Sequence, residues 1–346
     1  MMLHSSKSWP ALGSMLLAAC APTARDDDPS RFPFGTEDGG ADTSGSNRDT
    51  DCAADDDAAD SSAGEADNGA LFDVGDGDNG GAPNGTCGCG EASEGVYLLG
   101  ADASLWRFDP PSLVFTPLGS FECPTAGAIN SMAVDRQGRA WINYVDIDLS
   151  DLFDPHVTGE LFVVDLAAPE LCTASDYAPP DYRFVQVGMA FASNGEQDSC
   201  DELFLYEATD SGAGALGRID RETLLVSELG EVDYARAELT GTGDGRLYAF
   251  VDDGEARLVR YDTADANELE NIPLPGFATT SGFSFAFWGG DVWFFTEASP
   301  GAGYSRVTRL DLDGSDGGGL TSVVDAAPGY FIGAGVSTCA PLEPVG

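Results

Sequence analysis

Lysine occurs once in 346 residues, at Lys7, and histidine twice, at His4 and His156. Past its first residues the chain has no amine for a Schiff base or a lysine base, and a single imidazole for proton transfer. Cations are scarce throughout: 16 Lys plus Arg stand against 59 Asp plus Glu, a formal charge of -43. That balance excludes nucleic acid as a partner, because polyphosphate binding rests on cationic side chains and the counterions they release. The chain also lacks a Gly-x-Ser-x-Gly elbow and a repeated cysteine–histidine set, so neither the usual serine-hydrolase turn nor a zinc module is written in it. No apolar run reaches the roughly 20 residues of a spanning helix.

What is present begins with a short apolar stretch, WPALGSMLLAAC, preceded by Lys7 and ending Leu17-Ala18-Ala19-Cys20. A weakly basic start, a short apolar centre and small residues at its end are the pattern of an export signal. The Leu-Ala-Ala-Cys sequence resembles the lipobox of bacterial lipoproteins. The resemblance implies cleavage of residues 1–19 and acylation of Cys20, which anchors a protein by burying acyl chains at about 0.8 kcal/mol per methylene. Ala21, not Asp, follows the cysteine, and for such a lipoprotein that implies export to the bacterial cell envelope, with the outer membrane favoured.

Residues 20–92 change composition completely: 18 acids stand against three arginines, with few large apolar residues. Such a segment buries too little surface to offset its ordering entropy, and its like charges repel, so it is expected to be a disordered, extended tether. Asp73, Asp76 and Asp78 lie close together among glycines there; without flanking helices or a distal glutamate they read as solvated spacer, not as a calcium loop.

From Ser93 onward the chain repeats itself. A strand-like phrase ending in aspartate recurs as LWRFD (105–109), LFVVD (161–165), LGRID (216–220), LVRYD (258–262) and VTRLD (307–311). Upstream of each is a phrase with an aromatic in a fixed slot: Tyr97, Trp141, Phe204, Tyr248 and Trp293. Small-residue phrases precede four of these (SMAVDRQG, GMAFASNG, ELTGTGDG, FSFAFWGG), and a fifth, FIGAGVSTC, stands near the C-terminus. Period-two alternation rich in Val, Phe, Tyr and Trp argues strand, and units of this length resemble the blades of a β-propeller. The expectation for 93–346 is an all-β domain of five four-stranded blades, the last closed by strands from both termini, which removes the free edge.

Four of the five aspartate-ended phrases place an arginine two residues before the acid: Arg107–Asp109, Arg218–Asp220, Arg260–Asp262 and Arg309–Asp311. Side chains at i and i+2 share a strand face, so these read as ion pairs that fix the blades, and the aromatic slot reads as blade-to-blade packing. Two segments invite a hard cation, calcium first. The loop from Asp146 to Gly159 carries Asp146, Asp148, Asp151, Asp154 and His156, and DLDGSDGGG carries Asp311, Asp313 and Asp316. Carboxylates are the oxygen ligands calcium prefers, yet both segments also fit solvated turns of a very acidic protein, and the second lacks a carboxylate at its twelfth position, Ser322.

Eight cysteines leave seven if Cys20 is acylated. An exported chain can form disulfides. Cys339 is expected to bridge to Cys87 or Cys89 and lock the closure, and Cys172 to Cys200, with Cys123 a competing partner and Cys52 the candidate for the odd thiol. The missing chemistry points first to a non-catalytic binding or scaffold propeller, monomeric and displayed from a membrane, with a protein or carbohydrate ligand. A hydrolase working through carboxylates or calcium, of glycosidase or lactonase type with acids such as Glu238, is the alternative; a purely structural surface protein is the third.

Overall fold

Each strand-like phrase of the repeat is a strand in the structure, a computed structural model that describes residues 88–90, 94–148, 156–180, 183–193, 201–209, 212–277, 279–280, 282–312, 314 and 319–345. The second blade holds β4 (Ala128–Val134), β5 (Arg139–Asp148), β6 (His156–Asp165) and the short β7 (Cys172–Ala174). The third holds β8 (Val187–Ser193), β9 (Asp201–Glu207), β10 (Gly214–Ile219) and β11 (Val226–Val232). The fourth runs β12 (Ala237–Gly241), β13 (Leu247–Asp252), β14 (Ala256–Tyr261), β15 (Glu268–Pro273), and the fifth β16 (Phe283–Trp288), β17 (Asp291–Glu297), β18 (Ser305–Asp311), β19 (Gly319–Val324). The first blade is composite. Its strands β1 (Val96–Gly100), β2 (Ser104–Asp109) and β3 (Val114–Ser120) are joined by β20 (Phe331–Val336), in the order β20-β1-β2-β3. Five antiparallel four-stranded sheets closed in this way make a five-bladed β-propeller, with no inner strand left without a partner.

The core is divided among the blade interfaces. Five hydrophobic clusters each join two neighbouring blades: Phe204 packs with Leu247 and Val251, for example, and Tyr248 with Phe285 and Phe287. The aromatic slot supplies each interface with one large ring, and all five rings are buried. Register gives the slot a second constant, since Tyr97, Phe204, Tyr248 and Trp293 lie directly opposite Arg107, Arg218, Arg260 and Arg309 on the next strand.

That register redirects the arginines. Arg218 pairs with Glu202 at 3.0 Å, Arg260 with Glu270 at 3.4 Å and Arg309 with Asp291 at 3.3 Å, all across to an adjacent strand. Four of the five repeated aspartates, Asp109, Asp165, Asp220 and Asp262, instead cap the turn to the outer strand. Asp220 accepts from the Glu222 and Thr223 N–H groups at 3.0 and 2.8 Å, Asp262 from Ala264 N–H at 2.8 Å, and Asp165 from Ala167 N–H at 2.9 Å. Four residues after three of the aspartates the backbone turns left-handed without glycine, at Leu113, Leu224 and Ala266 (φ 58°, 58° and 60°). The cap helps hold this costly conformation in place, so at these positions the acid serves the turn geometry and not its neighbour two residues before.

Two disulfides are described. Cys89 bonds to Cys339, which settles the closure between the two candidate partners, and fixes the incoming chain to the propeller beyond the end of β20. Cys172 bonds to Cys123 and not to Cys200. The correction has a simple cause: β7 turns Cys172 toward the preceding blade, into the cluster that contains Leu118, Phe121 and Cys123, while Cys200 lies outside the described residues. Cys20, Cys52 and Cys87 lie outside them as well, with the whole of the expected signal and most of the tether.

Candidate functional site

The innermost strands β4, β8, β12, β16 and β20 run in the same direction around the axis, so their first residues meet at one end of the channel. Small residues let them approach closely. A Cβ on Gly188 would stand 2.1 Å from the Ala237 carbonyl oxygen, and one on Gly241 2.2 Å from that of Phe191, so β8 and β12 touch backbone to backbone. The axis narrows accordingly, and what remains at the strand starts is a cavity of about 250 Å³, lined in part by Ile129, Gln186, Arg236, Glu238, Phe283 and Ile332.

Glu238 is the carboxylate of this cavity. Its strand belongs to the fourth blade, yet its Oε2 accepts a 2.7 Å hydrogen bond from the Ser131 hydroxyl of the second, so the side chain reaches across the axis. Ser131 is fully buried. Burial pushes the Glu238 carboxyl up to about 8, and the Ser131 bond opposes this only in part. At neutral pH the group therefore carries its proton and is a donor as well as an acceptor.

Around it a second network holds the rim. Asn130 donates from Nδ2 to Asn143 Oδ1 at 2.9 Å and to the Val187 carbonyl at 2.8 Å, while its Oδ1 accepts from Gln186 Nε2 at 2.9 Å. Asn143 is buried and donates to the Val185 carbonyl at 3.2 Å, which seats the chain entering β8. Arg236 sits at the rim with Nε donating to the Thr209 carbonyl at 3.2 Å. One carboxyl raised by burial and two amides, Asn130 and Gln186, against apolar walls, can orient a small polar molecule; a pair of carboxylates facing each other is absent from the described lining.

The opposite end is closed by its own side chains. Asp201, in the third blade, is buried, with Arg221 at 3.3 Å. The Thr338 hydroxyl donates to Asp201 at 3.3 Å and accepts from Arg136 Nε at 2.6 Å, tying three blades together beside the Cys89–Cys339 bridge. Burial raises the Asp201 carboxyl above its ordinary range, against the lowering influence of Arg221. Gly90 N–H donates to the Arg136 carbonyl at 2.7 Å, so the chain joins the propeller at this closed end.

The cation candidates fall mostly elsewhere. Asp146 is half-buried near the end of β5, opposite Thr158; Asp151 and Asp154, and the side chains of Asp148 and His156, lie outside the described residues. Asp311 is buried at the end of β18 opposite Gly319, so 312–318 connects two outer strands; Asp313 and Asp316 are outside the described residues. Among the described residues no group of three or more His, Cys, Asp or Glu is placed to hold a metal. Of the cavity residues, the sequence singled out Glu238 alone. Asn130, Gln186 and Arg236 had a faint signal: each is a polar residue at or just before a small-residue inner-strand phrase, where the repeat is otherwise apolar.

No protein-family model matches the chain, and no curated protein does. Solved structures resemble the chain only at a distance. A gluconolactonase from Xanthomonas campestris is 11% identical over 71% of this chain and 79% of its own, with a TM-score of 0.42. An exo-β-1,3-galactanase from Phanerochaete chrysosporium is 9% identical over 68% and 55%, with a TM-score of 0.41. TolB from Acinetobacter baumannii is 15% identical over 68% and 54%, with a TM-score of 0.37. The chain thus spans little more than half the length of the last two. The propeller assignment rests on strand pairing, and likenesses this remote say nothing of activity.

Proposed function

We propose that this chain is a binding protein of the bacterial cell envelope, anchored by a lipid on Cys20, extended on the 20–92 tether, and holding a small ligand in the channel cavity of its propeller. The observation that carries the reading is the placement of the cavity: it opens where the inner strands begin, while the chain enters at Cys89, at the other end of the same channel. A ligand site turned away from the point of attachment is what a displayed receptor requires. Two disulfides, one spanning 250 residues and one 49, support an oxidising compartment.

A second reading has one observation in its favour. A carboxyl pushed up to about 8 is in the protonated state that a glycosidase acid needs. Such an enzyme also needs a second carboxylate about 5 to 9.5 Å away, and the described lining offers Glu238 alone.

One experiment addresses both. Cys20→Ser in the full chain should move the protein from the membrane pellet to the soluble fraction. That soluble form, presented with small metabolites and short glycans in ligand-observed NMR, should bind at least one of them without turnover, and Ile332→Trp, which fills the cavity, should abolish the signal with the melting point retained. A Cys20→Ser protein that stays in the pellet overturns the anchor, binding indifferent to Ile332→Trp overturns the cavity, and release of a cleaved product supports the hydrolase.

A further inference from the structure

We infer that the propeller has a second ligand site, outside the channel, where the fifth blade faces the fourth, and that it takes a short neutral carbohydrate. A departure from the repeat makes the site. On the third strand of each blade one residue lies opposite the residue that follows the aromatic slot. In the other four blades it is Trp106, Phe162, Gly217 or Val259. Trp106, Phe162 and Val259 pack into the clusters between blades, and the Phe184 ring fills the space over Gly217. In the fifth blade the residue is Thr308, opposite Phe294. What the other interfaces fill with a large apolar group is here a cavity of about 510 Å³.

Its sheet wall is polar by register. Thr296 lies opposite Arg306, and Ser322 opposite Thr308, while Arg306 and Thr308 stand two apart on one strand face. The Thr296 and Thr308 hydroxyls have no bonded partner among the described residues and keep their capacity for a ligand. Arg306 meets an acid at Asp325 alone among the described residues, at 3.9 Å, with Asp325 89% exposed. That is beyond hydrogen-bond reach, and so exposed a pair holds neither side chain in place. The facing wall is fixed in advance: the Phe277 ring packs on Phe294 at 5.0 Å, and Thr279 N–H donates to Asp252 at 2.9 Å.

The lining selects the class. Glu297 also borders the cavity and accepts from the Thr280 hydroxyl at 2.5 Å, so the charges of Arg306 and Glu297 balance. An anion would face that carboxylate and a domain whose residues 93–346 carry 41 acids against 12 arginines. A neutral molecule meets neither obstacle. Hydroxyls that both donate and accept, beside a guanidinium, match a row of sugar hydroxyls, and Phe277 and Leu320 offer apolar surface to the C–H faces of the rings. The cavity equals roughly 17 water volumes at about 30 Å³ each, hence a molecule on the order of twenty non-hydrogen atoms, the size of a disaccharide.

The test is calorimetric titration of the full-length Cys20→Ser protein with maltose, cellobiose and lactose, beside digalacturonate and inorganic phosphate. At least one neutral disaccharide should bind at millimolar concentration or below, and more tightly than either anion. Arg306→Ala, at a half-exposed position, should weaken it at least tenfold. Thr308→Val, which takes the residue of the fourth blade and removes the hydroxyl, should weaken it at least threefold with the melting point retained. Ile332→Trp, in the channel, should leave this binding unchanged, which separates the site from the channel cavity proposed above. No binding of any of the three sugars, tighter binding of either anion, or binding indifferent to both Arg306→Ala and Thr308→Val overturns the inference. Loss of the sugar with Ile332→Trp overturns it too and assigns the ligand to the channel.

Discussion

The two ends of the channel are made by the same five inner strands, and each holds an acid whose carboxyl burial raises, but with different partners. At the closed end Asp201 is met by Arg221 at 3.3 Å and by the Thr338 hydroxyl, and a disulfide lies alongside. At the open end Glu238 has the Ser131 hydroxyl as its bonded partner and keeps its proton. The difference follows from what each end must do. A closure is stabilised by completed polar networks, whereas a ligand site retains hydrogen-bonding capacity that something else will complete. Ionisation is thus unfavourable for both acids, but at the Asp201 end Arg221 offsets part of the cost, while at the Glu238 end no cation is among the causes that oppose it.

Breaking the lock should have the largest effect. Cys339→Ser frees the incoming chain from the end of β20 and removes a link 250 residues in span; a loss of about 3 to 5 kcal/mol is expected in denaturant titration. A loss below 1 kcal/mol would mean that strand pairing alone holds the closure.

Glu238→Gln should act with the opposite sign. Its carboxyl is raised from 4.5 to about 8 in the folded state, so the folded protein holds a proton that the unfolded chain releases. Stability from this group is full below pH 4.5, falls as pH rises toward 8, and is level above that. The substitution should remove this decline and make the protein more stable than the unsubstituted chain at pH 9, by on the order of 3 kcal/mol. Melting curves at pH 5 and pH 9 measure it, and a pH dependence identical in both proteins would show that Glu238 is ordinarily ionised.

The smallest effect belongs to Thr338→Val, which keeps shape and removes the hydroxyl between Arg136 and Asp201. A loss of about 1 to 2 kcal/mol is expected at neutral pH, with ligand binding at the far end untouched. Equal sensitivity of binding to Thr338→Val and to Ile332→Trp would erase the distinction between the ends.

Much of the fold was legible because a propeller repeats in sequence what it repeats in space. The aspartate-ended phrase and the aromatic slot recur at each blade, so strands, blades and the composite first blade follow from spacing and alternation. The role of the aspartates was not legible. Arg218–Asp220 looks like an ion pair in one dimension, and only the register opposite Phe204 sends the arginine to Glu202 and leaves the acid to cap its turn. The Cys123–Cys172 bridge was hidden for a similar reason, since the side to which β7 turns Cys172 is set by blade packing and not by spacing.

The sequence by itself determined the architecture of the repeat and the classes of chemistry that 59 acids, a single lysine and two histidines exclude. Those are properties of composition and period, which survive projection onto one dimension. Tertiary structure alone decided the cavity, because Ser131, Gln186, Glu238 and Ile332 come from four different blades and meet at the axis. It raised the carboxyl of Glu238 as well: a carboxyl is an acid of pKa near 4.5 until a fold takes it partly out of water.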